Sequence, residues 1–79
     1  MNPDDITALF ARRVREERRA RKWTLQTLGE KAGVSLSVTD RAEKTGGVTL
    51  RSVLLIAEAF GVPAAELLAE PEFAAEPQA

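Results

Sequence analysis

Trp23-Thr24-Leu25-Gln26-Thr27-Leu28-Gly29-Glu30-Lys31-Ala32-Gly33-Val34-Ser35 is the stretch on which the fold turns. Thr24 is a good helix N-cap, and it is flanked by Trp23 just before it and Leu28 four residues after it. That is the spacing at which two apolar side chains clamp a helix entrance. The helix so opened runs over Leu25 to Ala32, Gly33 ends it in the left-handed region, and Ser35 caps a second helix reaching Lys44. Only Gly33 and Val34 separate the end of one helix from the cap of the next. So short a join between two short helices is a helix-turn-helix, with Gly29 supplying the small surface that lets the pair cross closely.

On the N-terminal side, Asn2 caps a first helix, Pro3 suits its first position, and Asp4 and Asp5 face the positive end of its dipole. Ile6, Leu9, Phe10 and Val14 share one face, and the next step of that stripe is Arg18, which is therefore expected inside. Arg12, Arg15, Arg19 and Lys22 recur on another face, solvated or turned to a partner, and the helix ends near Lys22. On the C-terminal side, Thr45-Gly46-Gly47 breaks the chain and Thr49 caps a fourth helix over Leu50 to Phe60, with Val48 and Val53 as its entrance clamp. Its inward stripe is Leu50, Val53, Ile56, Ala57 and Phe60; Gly61 ends it, and Val62-Pro63 opens a short fifth helix through Leu67 and Leu68. The expected architecture is all-α, five helices without strands, in one domain over 1–69. Residues 70–79, mostly Ala, Glu and Pro with a single Phe73, are expected to be an acidic, mobile tail, unless Phe73 docks on a neighbouring subunit.

Composition narrows the function. Seventy-nine residues, 44% apolar and 29% charged, suit one small soluble domain. A chain of this length buries only about 60% of its unfolded surface, which makes self-association a reasonable expectation. With no Cys and no His, disulfides, zinc and iron-sulfur sites, thiol nucleophiles and the usual neutral-pH general base are absent. No metal or cofactor is expected, and Ser, Asp and Lys form no catalytic constellation, so an enzyme is not expected either. No apolar run approaches the roughly 18 residues of a membrane span and no signal peptide opens the chain, which makes the cytoplasm the default location. The net charge of −1 conceals a segregation: all 11 Lys and Arg lie between Arg12 and Arg51. Against them stand Glu16, Glu17, Glu30, Asp40 and Glu43, so this window is six charges positive and suits a polyanion. A basic amphipathic helix lying on a membrane is disfavoured because the apolar face of helix one is short and is needed by the core.

These residues resemble the Xre/Cro family, the lambda-repressor-like helix-turn-helix transcriptional regulators, over Phe10 to Leu68, about three quarters of the chain. The resemblance is carried in order by Val14 and Arg18, the stretch from Trp23 to Ser35, Glu43, Thr49-Leu50, and Ile56-Ala57-Glu58-Ala59-Phe60-Gly61-Val62. It implies a structural ion pair between Arg18 and Glu43, the same carboxylate that an Arg on an apolar stripe requires. The chain departs from the family at Leu25, where Gln is usual, with Gln26 beside it. It departs also at Thr39 and Ala42, where large aliphatic residues are usual, and at Pro63, where Ser or Thr caps. Thr39 can bond a carbonyl one turn earlier, but the lost apolar contact leaves the third helix thinly anchored.

The resemblance implies double-stranded DNA as partner, with the third helix in the major groove and its exposed residues Leu36, Ser37, Asp40 and Arg41 at base edges. Arg41 suits guanine, Ser37 a base or a phosphate, and Leu36 a thymine methyl. Asp40 could accept from cytosine or repel wrong sites, but holding Arg41 is the favoured reading. Phosphate contacts are expected from Thr24, Gln26, the amides of Gly46 and Gly47, Thr49 and Arg51, although the two glycines serve equally well as a plain turn. Lys31 and Lys44, with the Arg residues of helix one, add field or are simply solvated. Trp23 is read as a core or clamp residue rather than a stacking platform for single strands. Specificity calls for two subunits with their helices about 34 Å apart, so a homodimer on a (pseudo)palindromic operator is expected. Its contact is assigned to Leu54, Leu55, Ala64, Ala65 and Leu68. Such a regulator, bacterial or phage-encoded and nucleoid-associated, fits a phage-type repressor, a restriction-modification controller or an antitoxin on its own operon. The alternative is a protein-interaction module or antitoxin-like partner that keeps the fold with weak or no DNA reading.

Overall fold

The computed structural model describes residues 2–70; Met1 and residues 71–79, including Phe73 and nearly all of the expected tail, lie outside the described residues. Four α-helices follow in order, α1 Pro3–Ala20, α2 Leu25–Ala32, α3 Leu36–Lys44 and α4 Leu50–Phe60, and then a 3-10 segment, Ala64–Leu68. No strand occurs among the described residues. Each α-helix opens on a side chain that accepts from the amide three residues on: Asn2 from Asp5, Thr24 from Thr27, Ser35 from Val38 and Thr49 from Ser52. The fifth element is the expected short helix, in 3-10 form. Pro63 offers no capping side chain and the segment is five residues long, so it closes as the tighter 3-10 form, with the Glu66 amide 3.0 Å from the Pro63 carbonyl.

Helix α1 stops two residues earlier than expected. Lys22 adopts φ 59°, and the amides of Lys22 and Trp23 turn back onto the carbonyls of Arg19 and Arg18. This is the paired closure that satisfies a helix's last carbonyls. The core is formed by Phe10, Val14, Leu28, Ala32, Ala42, Val53, Ile56, Ala57, Phe60 and Leu67, drawn from every element. Helix α1 packs on α3 and on the 3-10 segment, and α2 packs on α3 and α4. Two residues placed on inward stripes face outward instead, Ile6 at 39% exposure and Leu50 at 71%. Both stand in the first turns of their helices, where the stripe runs on past the end of the core.

Two arginines do more structural work than their charge suggests. Arg13 is buried, its Nε donating to the Glu66 carbonyl and its two terminal nitrogens to Glu16 and Glu17, and so it ties the 3-10 segment to α1. Arg21 donates to the Phe60 carbonyl at 2.7 Å and to Glu17, while its guanidinium lies 4.8 Å from the Phe60 ring centre. Trp23 stacks on that same ring, centroids 5.8 Å apart and planes 17° from parallel. Arg21→Ala removes a charged hydrogen bond to the last carbonyl of α4 together with a cation–π contact, and is expected to destabilise the protein by about 2 kcal/mol. Urea unfolding followed by the fluorescence of Trp23, the single tryptophan, checks this; an unchanged midpoint would deny the residue that role.

Candidate functional site

Helix α3 is held from behind and open in front. On its inner face Thr39 and Ala42 have no exposed surface and Glu43 is 8% exposed. Arg18 Nη2 donates to Glu43 Oε1 at 3.0 Å, Nε donates to Oε2, and Nη1 reaches the Trp23 carbonyl at 2.6 Å. Donating to the Glu43 carboxylate raises the affinity of the Arg18 guanidinium for its proton, burial works against this, and the Glu43 charge adds to it. The folded value lies above the ordinary one, so the part of the pair's stability linked to the Arg18 proton is complete at neutral pH and is lost as the pH rises into strong alkali.

The Thr39 hydroxyl lies 3.1 Å from the Leu36 carbonyl of its own helix and 3.1 Å from the Leu25 carbonyl at the start of α2. One hydroxyl proton thus serves acceptors in the first turns of two helices and sets those turns side by side. At their crossing, a Cβ on Gly29 would come within 2.8 Å of the Val34 carbonyl oxygen. Thr39, where a large aliphatic residue was the usual choice, replaces apolar grip with a polar anchor between the helices. The bond to Leu25 was not legible in the sequence, since it spans fourteen positions.

The outward face of α3 carries Leu36 at 52% exposure, exposed Ser37 and Arg41, and half-buried Asp40. Asp40 does not hold Arg41; its carboxylate pairs with Lys44 at 3.1 Å. Neighbours in sequence diverge around a helix, whereas residues four apart stack. Arg41 has no side-chain ion pair among the described residues.

Thr24, Gln26, Thr49 and Arg51 are exposed on the first turns of α2 and α4, and the Thr24 and Thr49 hydroxyls cap those helices. Gly46 is buried, its amide donating to the Arg41 carbonyl, and the Gly47 amide donates to Thr45 Oγ1. Both amides are therefore engaged within the chain. Arg12 pairs with Glu70 at 2.6 Å, while Arg19, Lys22, Lys31 and Lys44 are exposed and Arg15 is half-buried. Leu54, Ala65 and Leu68 are exposed, whereas Leu55 and Ala64 are half-buried against the core. Ile6, Leu50 and Leu68 rim an apolar groove floored by Phe10 and Val53. No three Asp or Glu side chains converge as a metal site requires among the described residues, and none of their helices is long and apolar enough to cross a membrane.

A helical core that fixes one short helix from behind and leaves its opening turn exposed defines the helix-turn-helix class. Two of the solved structures similar to this chain are a controller protein and a transcription factor. The restriction-modification controller protein C.AhdI from Aeromonas hydrophila shares 30% identity at a TM-score of 0.70, the match covering 77% of this chain and 94% of that one. The hypothetical transcription factor NHTF from Neisseria superposes at a TM-score of 0.80 with 24% identity, over 94% of this chain and 86% of its own. No family model matches the sequence, and no curated protein does. The chain belongs to the Xre/Cro family of helix-turn-helix transcriptional regulators.

Proposed function

We propose that this protein is a sequence-specific regulator that binds double-stranded DNA as a homodimer on a (pseudo)palindromic operator. The observation that carries the reading is the Thr39 hydroxyl shared between the Leu25 and Leu36 carbonyls. It supports a single rigid edge on which the opening turn of α2, suited to phosphate, adjoins the opening turn of α3, suited to bases. Leu36, Ser37, Asp40 and Arg41 are the base-reading residues, and Thr24, Gln26, Thr49 and Arg51 hold the backbone. Gly46 and Gly47 contribute less to phosphate than they do to the turn, because their amides already have acceptors. The dimer contact is built on Leu54, Ala65 and Leu68, extended by the exposed Ile6 and Leu50; burying that surface offsets the thin core of so short a domain.

Selection of duplexes from a random library, followed by affinity measurements across salt, tests the reading. A dimer making roughly 6–10 phosphate contacts loses about 10³–10⁵ in affinity between 50 and 200 mM salt. A flat salt response with no selected site would leave a protein-interaction module instead. Arg41→Ala is expected to relax preference at one position of each half-site at about 1–3 kcal/mol, whereas Arg51→Ala weakens all duplexes alike and reduces the salt slope. Equal losses on selected and random DNA for Arg41→Ala would remove its base-reading role.

A further inference from the structure

An acidic side chain on a helix meant for the major groove is an anomaly: Asp40 would enter the most negative surface the protein meets. Its half-buried carboxylate is 42% exposed and is paired 3.1 Å away with Lys44, one turn further on. Asp before Lys at this spacing is the favourable order along a helix, yet on a solvated surface such a pair adds little to stability. The fold therefore does not depend on it. The other cation near Asp40 in sequence, Arg41, points elsewhere and has no ion pair among the described residues.

We propose that Lys44 is a specificity-determining residue which neutralises Asp40, so that the carboxylate can enter the groove and accept a hydrogen bond from a cytosine amino group. This inference rests on the DNA-binding reading above. A bare carboxylate there is repelled by the phosphates; paired, it keeps the lone pairs that cytosine needs and sheds most of its field. Displacing water from the pair as the helix seats strengthens an attraction that is small in solution. Asp40 and Lys44 then form one reading unit and Arg41 a second, independent one.

A double-mutant cycle with Lys44→Ala and Asp40→Asn decides the matter, with affinity for the duplex selected by the wild-type protein measured at two salt concentrations. In the wild-type background Lys44→Ala is expected to weaken binding about tenfold, a little below the smallest couplings seen for close charge pairs at interfaces. In the Asp40→Asn background the same change is expected to cost less than about twofold. Duplex selection repeated with Asp40→Asn is expected to replace cytosine by adenine at one position of each half-site, since Asn suits adenine. Equal losses in both backgrounds, with the salt slope reduced by about one per subunit, would make Lys44 a plain phosphate contact and overturn the proposal. An unchanged selected base with Asp40→Asn would overturn it as well. Failure of the wild-type protein to select any duplex would instead overturn the DNA-binding reading on which it stands.

Discussion

Replacing Glu43 by alanine is expected to lower the melting temperature of the free protein by roughly 12–24 °C. The figure follows from a loss of about 3 kcal/mol, the low end for breaking a buried ion pair, in a domain where each kcal/mol moves the midpoint by about 4–8 °C. The low end applies because the Arg18 side chain keeps 15% of its surface exposed and retains the Trp23 carbonyl as a partner. The penalty arises mainly from the charge left behind. It is largely absent in the double replacement Arg18→Met with Glu43→Leu, which exchanges the pair for apolar contact and is expected to come within about 1 kcal/mol of wild type or exceed it. A fall below about 4 °C for Glu43→Ala in a thermal scan without DNA would show that the pair does not hold α3. Because the pair lies beneath the helix proposed to read bases, the double variant also separates stability from recognition. If it melts normally but binds its selected duplex weakly, the pair orients the helix as well as anchoring it.

The features legible in the sequence are those settled within one turn of helix. Asn2, Thr24, Ser35 and Thr49 cap their helices because an N-cap needs only its own side chain and an amide three residues away. Arg18 was legible for a related reason, as the next step of an apolar stripe. The same step from Leu9 lands on Arg13, more deeply buried than Arg18, but two of its three acceptor groups are Glu16 and Glu17 on its own helix and the third is a backbone carbonyl of the 3-10 segment. Periodicity flags such a residue without supplying its partners. Ile6 and Leu50 went the other way, because period says which face a residue shares and not how far the core extends along the helix. Asp40 shows a further limit, since the right partner is chosen by stacking along the helix and adjacency in sequence is misleading. The candidate site was legible as a set of positions. The Thr39 hydroxyl that sets two of its edges together was not, because its second acceptor belongs to a different helix.

Gly46→Ala is expected to destabilise the protein by at least about 3 kcal/mol, and to do so at a residue that touches neither the pair nor the proposed bases. Two costs combine. Gly46 adopts φ 72°, a region where a Cβ is unfavourable by about 1–2 kcal/mol. A Cβ placed there would also lie 2.0 Å from the Thr7 carbonyl oxygen and 2.7 Å from its carbon. That obstacle is the backbone of α1, which cannot rotate away as a side chain does, so either the α3–α4 turn or the first half of α1 must shift. Gly33 and Gly47 separate the two contributions. Gly33 has φ 75° with nothing within 4 Å of the added atom, so Gly33→Ala carries the conformational cost alone, about 1 kcal/mol. Gly47 lacks positive φ, and its nearest obstacle is the movable Thr45 hydroxyl at 3.2 Å, so Gly47→Ala is expected within about 1 kcal/mol of wild type. Chemical unfolding of the three variants should therefore rank Gly46→Ala far below Gly33→Ala, with Gly47→Ala nearest wild type. Equal losses at Gly46 and Gly33 would mean that the turn does not press on α1, and that the two-glycine break is a flexible join rather than the contact that fixes where α4 begins.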